Sequence, residues 1–129
     1  MDYKLYHACI RVLDLDKSIK FYQEALGFEE VRRKDVPENK FTLVFMSDKN
    51  RNFEIELTYN YDQETPYDIG NGFSHFAVLV EDVTTAFAHH EELGVTTTKL
   101  LDRGKGLPRL YFISDPDGYK TEVVEKIQD

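Results

Sequence analysis

The stretch FEIELTYN, Phe53 to Asn60, decides the fold. Read with a period of two, Phe53, Ile55, Leu57 and Tyr59 fall on one side, and Glu54, Glu56, Thr58 and Asn60 fall on the other. Such alternation marks a strand that packs one face on a core and leaves the other polar. Two carboxylates on a polar face are ordinary for a surface strand. This strand, however, has a counterpart near the C-terminus, where YKTEVVEK places Glu122 in a similar setting. Each glutamate also has a histidine upstream near the start of another strand: His7 in residues 5–12, and His75 in residues 73–80.

Outward from these strands the chain reads as two similar halves. In the first, His7, Cys9 and Arg11 share one strand face, with Ala8, Ile10 and Val12 on the other. Asp14 is placed to cap a helix, Ile19, Tyr22 and Leu26 recur at helical spacing, and Gly27 ends it. Strands are expected over 28–34 and 41–46, with a turn at 35–40 around Pro37 and Asn39. Residues 61–72, with Pro66, Gly70, Asn71 and Gly72, read as a linker. The order then repeats: a strand over 73–80, a helix capped by Asp82 and stopped at Gly94, and strands over 96–101, 110–114 and 119–126. DPDG at Asp115 to Gly118 is a strong turn signal before the last of them. His89 and His90, adjacent on the second helix, are expected on the surface.

Landmarks of the two halves keep nearly one offset. His7 and His75 are 68 residues apart, Asp14 and Asp82 also 68, Gly27 and Gly94 67, and Glu56 and Glu122 66. This is the period of a duplicated domain half rather than a solenoid unit. The expected organisation is a module over 1–60, the linker 61–72, and a second module over 73–129.

Composition narrows the function. The chain has 129 residues, of which 41% are hydrophobic, enough for one domain or two halves. Sixteen basic against 24 acidic residues give a net charge of −8, which argues against nucleic acid as a partner. The same charge repels an anionic substrate at long range, so such a substrate needs local Arg or Lys. No apolar run is long enough for a bilayer and no basic-then-apolar leader is visible. The single cysteine leaves no internal disulfide framework, and a reducing cytoplasm is the expected compartment.

The duplication yields two imidazoles and two carboxylates in equivalent places. Such a set suits a divalent transition metal with open positions for water or substrate. Taken one at a time, each residue has a plainer reading. His7 and His75 could be hydrogen-bonded packing, Glu56 a solvated side chain and Glu122 half of a surface salt bridge. Their obedience to one repeat weighs against four coincidences. Cys9, on the His7 face, reads as a small buried residue.

The motifs that now stand together are H-x-x-x-R-V at His7 to Val12, SIKFYxxxLGF at Ser18 to Phe28, IELTYN at Ile55 to Asn60, FSH at Phe73 to His75 and DPDGYKxE at Asp115 to Glu122. With them the chain resembles glyoxalase I, lactoylglutathione lyase, of the short bacterial type, in the vicinal oxygen chelate superfamily. The resemblance implies an α+β fold of two tandem βαβββ modules forming a cup around a metal. It implies His7, Glu56, His75 and Glu122 as ligands of one divalent metal, nickel first, with cobalt or zinc as alternatives. It implies isomerisation of the hemithioacetal of methylglyoxal and glutathione, or another thiol, to S-lactoylglutathione. The proton moves through an enediolate whose charge a metal stabilises, with Glu122 as the main base and Glu56 as the second acid or base. Arg11 and Asn60 match residues that hold the γ-glutamyl end of the thiol, and Lys105 one near its glycyl carboxylate. Asn71 departs from those members that carry an arginine four residues before the second histidine. A homodimer is expected, since small half-sheets leave edges and apolar surface to cover. The same superfamily includes methylmalonyl-CoA epimerases, extradiol dioxygenases with two His and one Glu, and non-catalytic binding proteins. The fourth ligand and IELTYN favour the lyase.

Overall fold

The structure, a computed structural model, describes residues 1–127. It divides into two compact units, Met1–Asp68 and Ile69–Asp129. In the first, β1 (His7–Arg11) leads to α1 (Leu15–Leu26), then β2 (Glu29–Val36), a single 3-10 turn (Pro37–Asn39), β3 (Phe41–Ser47) and β4 (Glu54–Asn60). These strands form one mixed sheet in the order β1-β4-β3-β2, with β1 parallel to β4 and the other pairs antiparallel. In the second unit, β5 (His75–Val80) leads to α2 (Val83–Leu93), β6 (Leu110–Ser114) and β7 (Lys120–Glu125). Here the sheet order is β5-β7-β6, with β5 parallel to β7. No described helix is long and apolar enough to cross a membrane.

Local chemistry explains the helix limits. Asp14 accepts the Lys17 amide at 3.1 Å and Asp82 accepts the Thr85 amide at 3.0 Å, so each helix begins with one orphan donor satisfied. Gly27 and Gly94 close them at φ 67° and 72°, a region that side chains with a Cβ disfavour. The apolar faces of the strands meet these helices. Val12, Tyr22, Val44, Met46 and Leu57 are wholly buried in the first unit, and Val83, Tyr111, Ile113 and Val123 in the second. Burying a side chain of this size contributes about 1.5–3 kcal/mol.

Cys9 is exposed rather than a small buried residue, and two further expectations need correction. Residues 96–101 do not form a strand; they bridge to β6 at two isolated points, Thr96 to Ile113 and Leu101 to Leu110. Between them the Phe112 amide donates to the Thr98 hydroxyl at 3.1 Å, and Thr97 donates from both its amide and its hydroxyl to the Phe112 carbonyl. The Thr98 hydroxyl here replaces the backbone carbonyl that a ladder would use, the competition that makes Thr a local breaker. The second correction is His90, which is buried at 3% exposure rather than on the surface. With Val83 and Phe87 it completes a stripe at helical spacing, and its Nδ1 is hydrogen-bonded to the wholly buried Tyr111 hydroxyl.

Candidate metal site

The polar row of β4 lies beside β1 in a register that sets Glu54 opposite His7, Glu56 opposite Cys9 and Thr58 opposite Arg11. Phe45 of β3 is opposite Glu56 from the other side, and Arg32 of β2 is opposite Phe45. A pleated sheet points such cross-strand partners to one face, so these side chains form one surface. Within it His7 Nε2 lies 3.2 Å from Glu56 Oε1, with the Glu56 side chain 14% exposed. The imidazole is boxed by rings: Tyr6 at 4.9 Å and Phe45 edge-on at 5.4 Å between centroids. His7 Nδ1 is buried and has no hydrogen-bond partner.

The far carboxylate oxygen is also held. Thr58 Oγ1 donates to Glu56 Oε2 at 2.6 Å. Cys9 Sγ lies 3.1 Å from the same hydroxyl. Desolvation pushes the Cys9 thiol above its ordinary range, outweighing the opposing bond from Thr58, so it stays protonated at neutral pH.

The second unit carries the same frame with a different filling. His75 packs edge-on against Phe112 at 5.1 Å, as His7 does against Phe45. Phe112 and Ala77 flank Glu122 in the register. His75 is exposed, and its Nδ1 lies 2.6 Å from the Ser74 hydroxyl. Glu122 is half-buried and, among the described residues, makes no ion pair or hydrogen bond, so the salt bridge of its plainer reading does not form.

The substrate residues are placed as follows. Arg11 ends β1, exposed, on the His7 face. Asn60 ends β4 and donates from Nδ2 to the Tyr67 hydroxyl at 3.0 Å. Lys105 stands at the exposed tip of a loop at φ 58°, between Gly104 and Gly106, which are also left-handed.

The structure thus brings His7 and Glu56 together and sets His75 and Glu122 on adjacent strands. No group of three or more His, Cys, Asp or Glu side chains gathers at one point among the described residues. Each unit nonetheless presents one imidazole and one carboxylate on a sheet face, donor types that suit a divalent transition metal. The His7 nitrogen facing Glu56 is the kind of atom a cation would take, and its buried, partnerless Nδ1 is a demand the present contacts do not meet.

Sequence reasoning missed Arg32. Its guanidinium lies 3.6 Å over the Phe45 ring and donates to the Tyr6 hydroxyl at 2.6 Å and to Glu54 Oε1 at 2.7 Å. The arginine therefore ties together the rings that box His7. Only the register of β2 on β3, with its shift between Glu30 and Arg32, reveals this.

A model of the Glyoxalase/Bleomycin resistance protein/Dioxygenase superfamily matches residues 4–123. The chain belongs to this superfamily. This glyoxalase-superfamily chain is 40% identical over 126 residues to a lactoylglutathione lyase of Neisseria meningitidis, covering 95% of the chain and 91% of that protein. It is also 40% identical over 126 residues to a probable chloroplastic lactoylglutathione lyase of Arabidopsis thaliana, but spans only 36% of it. Among solved structures, glyoxalase I from Zea mays superposes with a TM-score of 0.87 at 38% identity. That match covers 97% of this superfamily chain and 45% of the maize one.

Proposed function

We propose that the chain is a metal-dependent glyoxalase I, a lactoylglutathione lyase that isomerises the hemithioacetal of methylglyoxal and glutathione, or of another thiol, to the S-lactoyl thioester. The near full-length likeness to the Neisseria enzyme supports the reaction class. The observation that carries the chemistry is the His7–Glu56 pair at 3.2 Å on a sheet face, repeated in sequence by His75 and Glu122. In this reading His7, Glu56, His75 and Glu122 hold one divalent cation per site, nickel first, then cobalt or zinc. When bound, the cation supplies Lewis-acid stabilisation to developing oxyanions.

The chain's own residues move the proton. Glu122 takes the C–H proton from the thiol-bearing carbon, and the electron pair left behind shifts toward the neighbouring carbonyl. A proton then returns to that neighbouring carbon, while the hydroxyl of the thiol-bearing carbon gives up its own, which ends on the neighbouring oxygen, and becomes the thioester carbonyl. Glu56 serves as the second acid or base. The net change is an isomerisation, so no oxidant or reductant is needed. Arg11 and Lys105 supply the local positive charge that an adduct with carboxylates needs against a net charge of −8. Asn60, whose amide nitrogen is committed to Tyr67, offers its carbonyl oxygen to the γ-glutamyl ammonium. The working form is a homodimer, and the cytoplasm is its compartment.

The test is a turnover assay of the metal-stripped protein with methylglyoxal and glutathione, adding Ni2+, Co2+ and Zn2+ one at a time. Activity restored best by nickel or cobalt is expected. Full activity after exhaustive chelation would sink the proposal. Turnover of a catechol with ferrous iron would move the chain to the dioxygenases.

A further inference from the structure

The two His/Glu pairs differ, among other positions, in the neighbours of the glutamate. Around the first glutamate the repeat places Cys9 and Thr58; around the second, the corresponding register positions hold Ala77 and Val124. Part of the framework is shared: a histidine edge-on to a phenylalanine, and that phenylalanine opposite the glutamate.

The Thr58 hydrogen bond has one consistent assignment. A carboxylate only accepts, so the single hydroxyl hydrogen of Thr58 goes to Glu56 Oε2 at 2.6 Å. Cys9 Sγ lies 3.1 Å from the same hydroxyl, with Glu56 as a second hydrogen-bond partner. Thr58 orients Glu56. One carboxylate oxygen is thereby fixed, and the other is turned to His7 Nε2 at 3.2 Å. In the second unit neither Ala77 nor Val124 can donate, and Glu122 makes no hydrogen bond or ion pair among the described residues.

We propose that Thr58 is a positioning residue that pins the Glu56 carboxylate, a bond that has no counterpart at Val124 beside Glu122. This rests on the functional reading above, in which Glu56 is a ligand and Glu122 the main base. A base that must leave its resting place to take a proton works against any bond that holds it. A ligand that must stay in place gains from one.

The variants are Thr58→Val, which keeps the shape without the hydroxyl, Thr58→Ser, which keeps the hydroxyl, and Val124→Thr, which adds one beside Glu122. Calorimetric titration of each metal-free protein with Ni2+ reads affinity, and steady-state kinetics separate kcat from KM. Thr58→Val should weaken nickel binding by about 10-fold, within the range for loss of a bond that orients a ligand. Thr58→Ser should stay within about twofold of the parent. Val124→Thr should keep or tighten nickel binding while lowering kcat with little change in KM. Parental nickel affinity in Thr58→Val overturns the inference. So does an equal loss in Thr58→Ser, which would mean that packing is at stake. A parent protein that neither binds nickel nor turns over the adduct removes the functional reading and this inference together. A parent that does both, beside an unaffected Thr58→Val, removes this inference alone.

Discussion

At the scale of single residues, the glutamates carry the sharpest consequence. Glu122→Gln keeps the shape and one carbonyl oxygen but cannot accept a proton from carbon. It should lower turnover by about 10²–10⁴-fold, the usual worth of a positioned acid or base, with an unchanged circular dichroism spectrum. Glu56→Gln should also impair turnover, mainly through weaker metal retention, since Glu56 already has Thr58 and His7 on its two oxygens. If both were merely surface residues, each change would fall within about 0.5 kcal/mol of neutral stability and activity would survive. Metal content and turnover of the two proteins separate these outcomes. The four residues were legible because the repeat doubled each of them. Thr58 and Arg32 were not, because their roles depend on cross-strand register. Arg32 reaches its place through a strand irregularity that no period reveals.

At the scale of elements, the helices and the β4 strand follow directly from local chemistry: aspartate caps, glycine stops and strict alternation. Where side chains compete with the backbone, period fails, as at Thr97 and Thr98. His90 departs from its expected surface position for a related reason. Its polar ring stands on the buried stripe of α2 at the place that Tyr22 takes in α1, and the hydroxyl of Tyr111 meets its Nδ1 there. That contact predicts an alkaline limit to stability. Burial pushes the Tyr111 hydroxyl well above the ordinary tyrosine range. Its folded form therefore holds the proton more tightly than the unfolded chain does. The contribution is complete below the unfolded value near pH ~10 and drains away above it, as the unfolded state alone ionises. Tyr111→Phe removes that slope together with the bond to His90 Nδ1, a loss of about 1–3 kcal/mol at neutral pH. Thermal melts between neutral and strongly alkaline pH should show the parent losing melting temperature above pH ~10 faster than the variant. Parallel curves would count against Tyr111 as the titrating group.

At the scale of the whole molecule, the described surface points to self-association. β1 and β5 each lie at an edge of their own sheet, with one row of backbone groups unpaired by strand neighbours. Beside β1, Tyr3, Leu5 and Tyr6 are 89%, 80% and 59% exposed, and Leu79 on β5 is 64% exposed. Apolar side chains at open edges invite a partner, and the acidic net charge of −8 keeps that association from becoming indiscriminate. A second copy of the chain, related by a two-fold axis, covers such surfaces in the commonest oligomeric arrangement. Sedimentation velocity at micromolar concentration should show a dimer. Leu5→Lys together with Leu79→Lys should move it toward monomer without unfolding either unit, because both side chains lie outside the buried core. Two readings of the metal site also part here. If a site draws ligands from two copies, the monomeric double variant loses nickel affinity along with the dimer. If each chain builds its own site, the affinity survives. A parent protein that sediments as a monomer across that range would rule out the dimer and require all four ligands to come from one chain.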